Sequence, residues 1–345
     1  MSDSVRGQHQ PVPDATAWRE LVARYQQPDH WRSVWQVANS IIPYILLWYL
    51  MYRSLEISYW LTLVLAVPAA GFLVRTFIIF HDCCHGSFFA SRRANAVLGF
   101  VTGVLTFTPY HFWRHEHAVH HATAGNLDRR GRGDVWTMTA REYQGASRWE
   151  RIKYRVYRNP LVMFTLGALY TFLISNRYVG RSARQVGRRE RRSVMWTNLA
   201  IAGIIVVMSA AIGLKAYVLI QLPIILFGGA AGVWLFYVQH QFEGVYWART
   251  ENWDYVSVGL KGSSFYRLPR VLQWFTGNIG FHHIHHLSPK IPNYRLEQCH
   301  RENALFQSVK PLTLPGSLKS LRLRLWDEEY QRLVGFGSVV QPART

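Results

Sequence analysis

Fifteen histidines occur among 345 residues, and most of them fall into three short runs. In His81-Asp82-Cys83-Cys84-His85 the two imidazoles stand at i and i+4, on one face if the segment is helical. In His111-Phe-Trp-Arg-His115-Glu-His117-Ala-Val-His120-His121 the last three histidines are spaced i, i+3, i+4 and share a helical face. His111 and His115 form a further i, i+4 pair whose role the spacing leaves open. Phe281-His282-His283-Ile284-His285-His286 repeats the pattern, with His282, His285 and His286 on one face and His283 pointing elsewhere. Imidazole is the commonest metal ligand. Two, three and three histidines make eight candidate ligands, too many for one tetrahedral zinc and suited to two ions. Ligand type alone leaves iron, copper and nickel open. His240, in Gln239-His240-Gln241-Phe242-Glu243, is a ninth candidate, either as a ligand or as a donor behind one. Asp82, Glu116, Glu243, Asp254 and Asn278 lie close in sequence and are candidate partners for orienting the imidazoles. His9, His30 and His300 stand outside the runs and read as solvated and dispensable.

The elements that must carry these side chains are apolar. Trp35 to Tyr52 holds no charge and is interrupted by Pro43, which a membrane helix tolerates. Tyr59 to Phe80 holds only Arg75. Val194 to Leu214 and Ala216 to Val238 are uncharged and separated by Lys215 alone. Each is close to the ~20 residues that a spanning helix needs. The pattern predicts an all-α integral membrane protein: four transmembrane helices in two hairpins, with a cytosolic helical domain holding a histidine-rich site for two metals. Two shorter stretches, Ala94 to Tyr110 and Leu161 to Ser175, read as interfacial or re-entrant. Arginines crowd the region from Arg141 to Arg192, including Arg181, Arg184, Arg188 and Arg189, whereas the hairpin tips carry only Arg53 and Lys215. The positive-inside rule then puts the N-terminus and the histidine runs in the cytosol. The expected division is a polar N-terminal segment (1–34), a first hairpin (35–80), a cytosolic and interfacial region with the first two runs (81–193), a second hairpin (194–238) and a cytosolic C-terminal region (239–345). In that last region Leu318 to Leu333 reads as an amphipathic helix. Residues 1–30 are polar and show no signal peptide.

Composition narrows the class. Three cysteines cannot staple a chain of this length, and apolar blocks exclude a disordered one. A net charge of +19 suits nucleic acid or an anionic membrane. No nucleic-acid fold signature accompanies it, so the membrane is favoured.

The residues around the histidines narrow it further. His81-Asp-Cys-Cys-His85, His117-x-x-His120-His121 and His282-x-x-His285-His286 resemble the three histidine boxes of membrane fatty acid desaturases. Trp113-Arg114, Ala122-Thr-Ala-Gly-Asn-Leu-Asp128, Gly133-Asp134-Val135-Trp136 and Leu287-Ser-Pro-Lys-Ile-Pro-Asn-Tyr294 resemble its acyl-lipid branch, with the omega-6 (delta-12) and bacterial delta-5 enzymes. The resemblance spans roughly residues 35 to 310, and boxes together with flanks are a specific signal. Cys84 departs from the glycine common in the first box and leaves both histidines in place.

The resemblance implies two irons held by His81, His85, His117, His120, His121, His282, His285 and His286, with His240 at the position of an additional ligand. It implies O2 as co-substrate and a cis double bond introduced into a fatty acyl chain, lipid-linked in this branch, in a bacterial inner membrane. Two electrons come from an external carrier, ferredoxin or flavodoxin-like in bacteria. The chain itself shows no haem-attachment, iron–sulfur or dinucleotide motif. Gly228-Gly229-Ala-Ala-Gly232 lies inside the fourth span and reads as close helix packing. The basic cytosolic face is expected to dock an acidic carrier; turnover with purified ferredoxin should weaken as salt rises, and salt-independent turnover contradicts this. A diiron hydroxylase or a carotenoid-modifying oxygenase shares the chemistry but not the flanks. A metal transporter would place ionisable residues inside its spans, where only Arg75 stands.

Overall fold

A computed structural model describes residues 17–131, 133–179 and 186–340; His9, Arg181 and Arg184 lie outside the described residues. The helices, in chain order, are α1 (Ala17–Ala23), α2 (His30–Ser54), α3 (Tyr59–His85), α4 (Arg92–Leu105), α5 (Tyr110–Thr123), α6 (Ala140–Gly145) and α7 (Arg148–Tyr157). They continue with α8 (162–174, alternating π and α turns), α9 (Arg188–Ile212), α10 (Leu214–His240), α11 (Tyr255–Lys261), α12 (Arg270–Phe275), α13 (His282–Leu287), α14 (Asn293–Arg301) and α15 (Ala304–Gln307). Four of them, α2, α3, α9 and α10, are long and apolar enough to cross a membrane.

The spans are longer than the charge-free segments that foretold them. Helix α3 runs on from Phe80 through the first histidine run to His85, and α10 runs on from Val238 to His240. Polar side chains do not end a helix whose backbone hydrogen bonds continue. What ends α3 is Gly86, whose left-handed backbone (φ 67°) lets its N–H reach Asp82 and Cys83 carbonyls. Gly213 alone joins α9 to α10, so the arginine-bearing start of α9 lies on the same side as His240.

Helices α3 and α10 form the centre and α2 and α9 the flanks. In their most apolar windows, 56% of α3 and 44% of α10 is buried, against 22% of α2 and 11% of α9. Tyr44 and Met51 of α2, Ala66, Ala69 and Leu73 of α3, and Ile220 and Ile224 of α10 share one core. Trp35, Ile42, Leu46, Val206 and Val207 face outward, as lipid contact requires. Arg75 is buried in α3 and does not stand alone. Its guanidinium donates to the Trp274 carbonyl, approaches Asn39 Oδ1 at 3.4 Å and lies 3.9 Å above the Trp274 ring. A charge inside a span is tolerated when such partners surround it.

The two shorter apolar stretches form α4 and α8, neither of which is among the helices long enough to cross. Three-residue strands complete the fold. β1 (Phe265–Arg267) pairs in parallel with β2 (Pro311–Thr313), and β3 (Leu325–Asp327) pairs antiparallel with β4 (Arg332–Val334). The expected amphipathic helix over 318–333 is not formed. A 3-10 turn (Leu318–Arg322) leads instead into the β3–β4 hairpin. Leu321-Arg-Leu-Arg-Leu325 alternates with the period of a strand. Asp327 Oδ1 then accepts from the N–H groups of Glu329 and Tyr330, which reverses the chain. Behind the hairpin, buried Arg158 donates to Thr137, Gln241 and the Leu323 carbonyl, tying α7 to the end of α10.

Candidate metal centre

Four helices that are distant in sequence deliver the histidines to one place. Helix α3 supplies His81 and His85, α5 supplies His117, His120 and His121, α10 supplies His240, and α13 supplies His282, His285 and His286. All are buried except His85, which is partly so. They form two groups. His81, His85, His117, His121 and His285 make one; His120, His240, His282 and His286 make the other. Within each group one nitrogen per ring lies within 4.8 Å of every other.

Helix geometry explains the split. On α5, His117 and His121 are about 40° apart around the axis, while His120 turns about 60° to the other side of His117. The i, i+4 pair therefore serves the first group and the i+3 residue the second. On α13 the i, i+4 pair His282 and His286 serves the second group, and His285 crosses to the first.

The hydrogen bonds fix which nitrogen points inward. His120 Nδ1 lies 2.7 Å from Asp134 Oδ1, and His81 Nδ1 lies 3.1 Å from Asp82 Oδ1. A carboxylate only accepts, so both Nδ1 atoms carry the proton and both Nε2 atoms present a lone pair. His240 Nδ1 faces the Gly262 carbonyl at 3.4 Å, with the same result. Yet His120 Nε2 meets His240 Nε2 at 3.1 Å, and His282 Nε2 meets the same atom at 3.0 Å. In the first group the Nε2 atoms of His121 and His117 are 3.1 Å apart, as are those of His285 and His121. The His120 and His240 lone pairs therefore face each other and repel unless a cation lies between them. His282, His121 and His285, whose Nδ1 atoms meet no acceptor, are free to donate from Nε2 to their neighbours. Desolvation, then repulsion by neighbouring imidazoles, pushes His117, His121, His282, His285 and His286 well below the usual histidine pKa. The rings are thus held neutral, the form that binds metal.

The supporting contacts differ in part from those expected. Asp82 does orient His81, and its second oxygen accepts from Asn293 N at 2.7 Å and Nδ2 at 2.8 Å. Glu243 instead pairs with exposed Lys319, and Asp254 caps α11 through the Ser257 N–H. Asn278 bonds to the Asn293 carbonyl rather than to a histidine. Glu116 lines the adjoining cavity. Asp134 has the role that sequence proximity gave to others. It stands 14 residues from His120 and is turned toward it through Gly133, whose backbone is left-handed (φ 71°). A Cβ at Gly133 would lie 3.0 Å from His120 Cβ.

The other histidines keep apart from both groups. His111 and His115 are half-buried, and His30 is exposed at the start of α2. His283 faces away as expected, packing near Phe265, His300 and Phe306; desolvation pushes its pKa down to about 3. His300 is half-buried rather than fully solvated: its ring lies 4.4 Å from Phe265 and 5.0 Å from Phe281. Cys83 and Cys84 are free thiols buried in an apolar core with Phe80, Phe88 and Tyr110.

An apolar cavity of about 380 Å³ adjoins the centre, touching His81, His117, His120 and His282. Its walls include Leu73 and Phe77 of α3, Phe172 of α8, and Ile225 and Val233 of α10. The glycines of α10 divide in role. A Cβ on Gly228 would lie 3.1 Å from Leu73, and one on Gly229 would lie 3.1 Å from Phe172, so both allow close packing. A Cβ on Gly232 would meet nothing within 4 Å, and Gly232 lines the cavity.

Comparisons with known proteins agree with this arrangement. The sequence profile of the fatty acid desaturase family matches residues 58–309, which include all nine histidines. A "Fatty acid desaturase" of Bacillus subtilis is 52% identical over 318 residues, 92% of this chain and 90% of its own. A "Probable fatty acid desaturase DES1" of Sorghum bicolor is 30% identical, across 78% of this chain and 69% of its own. The "sn-1 acyl-lipid omega-3 desaturase (ferredoxin)" of Synechocystis is 26% identical, across 68% of this chain and 64% of its own. By its histidine centre, its membrane-capable helices and these matches, the chain belongs to the fatty acid desaturase family.

Proposed function

We propose that this protein is an acyl-lipid desaturase that introduces a cis double bond into a fatty acyl chain. The observation that carries the reading is the pairing of two buried groups of histidine nitrogens with an apolar cavity at their edge. Two irons fit the donor set: neutral nitrogens alone, in two groups, with no cysteine among them. When bound, they supply the activation of O2 that breaks unactivated C–H bonds, which acid–base side chains cannot do. The balance is one O2, two electrons and two protons for two hydrogens removed from adjacent methylenes, with two waters formed.

The protein's own residues prepare that chemistry. His81, His85, His117, His121 and His285 hold one ion, and His120, His240, His282 and His286 the other. Asp82, Asp134 and the Gly262 carbonyl fix ring orientation. Trp113 stacks on His117 with ring centroids 4.2 Å apart. The walls of Leu73, Phe77 and Phe172 exclude water and hold an extended chain beside the ions. The arginine-rich side, which carries the histidines, faces the cytosol of a bacterial inner membrane. There it meets an external electron donor of the ferredoxin or flavodoxin type, like the donor in the name of the Synechocystis relative.

The test is an acyl-chain profile of a bacterial host that makes saturated chains and supplies ferredoxin and its reductase. Expression should yield a new monounsaturated chain, located by mass spectrometry of derivatised lipids. An oxygen-bearing product, or unchanged chains with iron-loaded protein in the membrane, would overturn the reading. The cavity adds an expectation of its own. Gly232 lies eight residues before His240, two turns or about 12 Å along α10. Gly232→Leu should fill the cavity at that depth, so that the host profile loses its longest desaturated chains while shorter ones persist. An unchanged product spectrum would place the chain elsewhere.

A further inference from the structure

A second cavity, of about 720 Å³, lies where α4, the start of α5 and the start of α9 meet. Its lining divides by chemistry. Arg188, Arg189 and Arg192 of α9 form one part; Ala96 and Phe100 of α4 and Trp196 of α9 form another. Arg188, Arg192 and Trp196 follow one another at four-residue spacing, so they form a row along one helix face. The arginines are exposed, and no ion pair among the described residues engages them. The floor is built rather than incidental: the His111 backbone N–H donates to buried Ser193 Oγ at 3.0 Å, fastening α5 to α9. Desolvation first, then Arg189 and Arg114, hold the His111 imidazole below its usual range, with the Glu190 carboxylate opposing them in part.

The position of the cavity selects its occupant. The apolar stretch of α9 begins just after the arginines. Trp196 stands one turn further in and is 57% exposed, and Phe100 is exposed on α4. Cations at the level of the headgroups therefore sit above aromatic and aliphatic surface at the level of the upper acyl chains. That is the complement of an anionic amphiphile. A soluble acidic protein could reach the arginines but not the apolar part beneath them.

We propose that this cavity binds an anionic phospholipid, its phosphate on Arg188, Arg189 and Arg192 and its glycerol and upper chains against Phe100 and Trp196. The site is separate from the histidine centre, and its existence does not depend on the reaction proposed above. A lipid seated here would join α4, α5 and α9, and α5 carries His117, His120 and His121.

Native mass spectrometry of the purified full-length protein, stripped in neutral detergent and titrated with phosphatidylglycerol or phosphatidylcholine, tests the assignment. The wild-type chain should retain one phosphatidylglycerol, preferred over phosphatidylcholine by roughly tenfold or more. An Arg188→Gln/Arg189→Gln/Arg192→Gln variant should lose that preference. A charge-matched control, Arg19→Gln/Arg148→Gln/Arg322→Gln, should keep it. Because a triple variant could perturb folding, brominated phosphatidylglycerol is added to the wild-type chain and to Trp196→Phe. Quenching should be present in the first and reduced in the second. Equal retention of the two lipids, an equal loss in the control, or quenching independent of Trp196 would overturn the site. Displacement of the lipid by millimolar inorganic phosphate would mark a free-phosphate site and overturn the lipid assignment. So would a site variant that keeps the lipid preference but loses salt-sensitive turnover with ferredoxin, because the arginines would then serve the carrier.

Discussion

A His121→Ala variant should insert normally and yield no detectable unsaturated chain in the host profile. His121 is the residue whose loss does most damage. Its Nε2 lies 3.1 Å from both His117 and His285, so it stands between the imidazoles of α5 and α13. Its ring also stacks on His286 of the other group at 4.2 Å. Removing it takes one nitrogen from a five-membered set and leaves its neighbours facing a void. Altering a partner behind a ligand already costs ten- to a hundredfold in metal affinity or activity, so losing the ligand should exceed about a hundredfold. The spans are untouched, and membrane fractionation should show normal amounts of protein. His117→Ala and His285→Ala should behave alike. Full desaturation by any of the three would contradict the assignment of the first group.

Asp134→Asn should lower metal content or turnover by about ten- to a hundredfold, with the fold intact. The carboxylate at 2.7 Å from Nδ1 keeps the His120 proton on that nitrogen and leaves Nε2 free. It also makes the ring a stronger donor. An amide keeps the shape but removes the charge, and its NH2 could face Nδ1 only by moving the proton to Nε2, where it would block the inward lone pair. Iron per protein and turnover should fall together, and excess iron during expression should restore part of both. Asp254→Asn is the useful contrast. It alters a helix cap whose carboxylate accepts from the Ser257 N–H and meets no imidazole, so iron content should not change. A normal Asp134→Asn enzyme would make the pairing incidental.

Much of this architecture is legible in the residues. Charge-free runs reveal the spans because lipid admits few charges, and histidine spacing reveals which rings share a helix face. The division into groups of five and four is not legible. Whether His120 or His285 crosses to the other group depends on how α5, α10 and α13 are placed, and no local pattern encodes that. Asp134 escapes for the same reason, since a glycine turn rather than helical periodicity brings it back over His120. The segment 318–333 carries two periods at once. The choice between them is tertiary: the Trp326 N–H bonds to the Met138 carbonyl, and its ring stacks on Trp247. His300 looked solvated because its neighbours in sequence are polar, whereas Phe265 and Phe281 come to it from other elements.

The meeting of four helices at the histidine centre also bears on how the molecule stays together. Its groups draw on both hairpins and on the segment that follows the second, so the centre is complete only once box three has docked. Without cations, the lone pairs of His120 on α5 and His240 on α10 face each other at 3.1 Å; with them, the nine nitrogens become a clasp at one end of the helix bundle. Metal loading is then a late step of assembly as well as a condition of activity, and its binding energy counts toward stability. The opposite end, where Gly213 and the α2–α3 turn lie, is held by apolar packing and a few hydrogen bonds, such as Ser54 to Thr62 and Tyr59 to the Leu219 carbonyl, with no histidine group among them. Chelation should therefore loosen the bundle from the histidine side first, leaving a protein that is still inserted but open at one end.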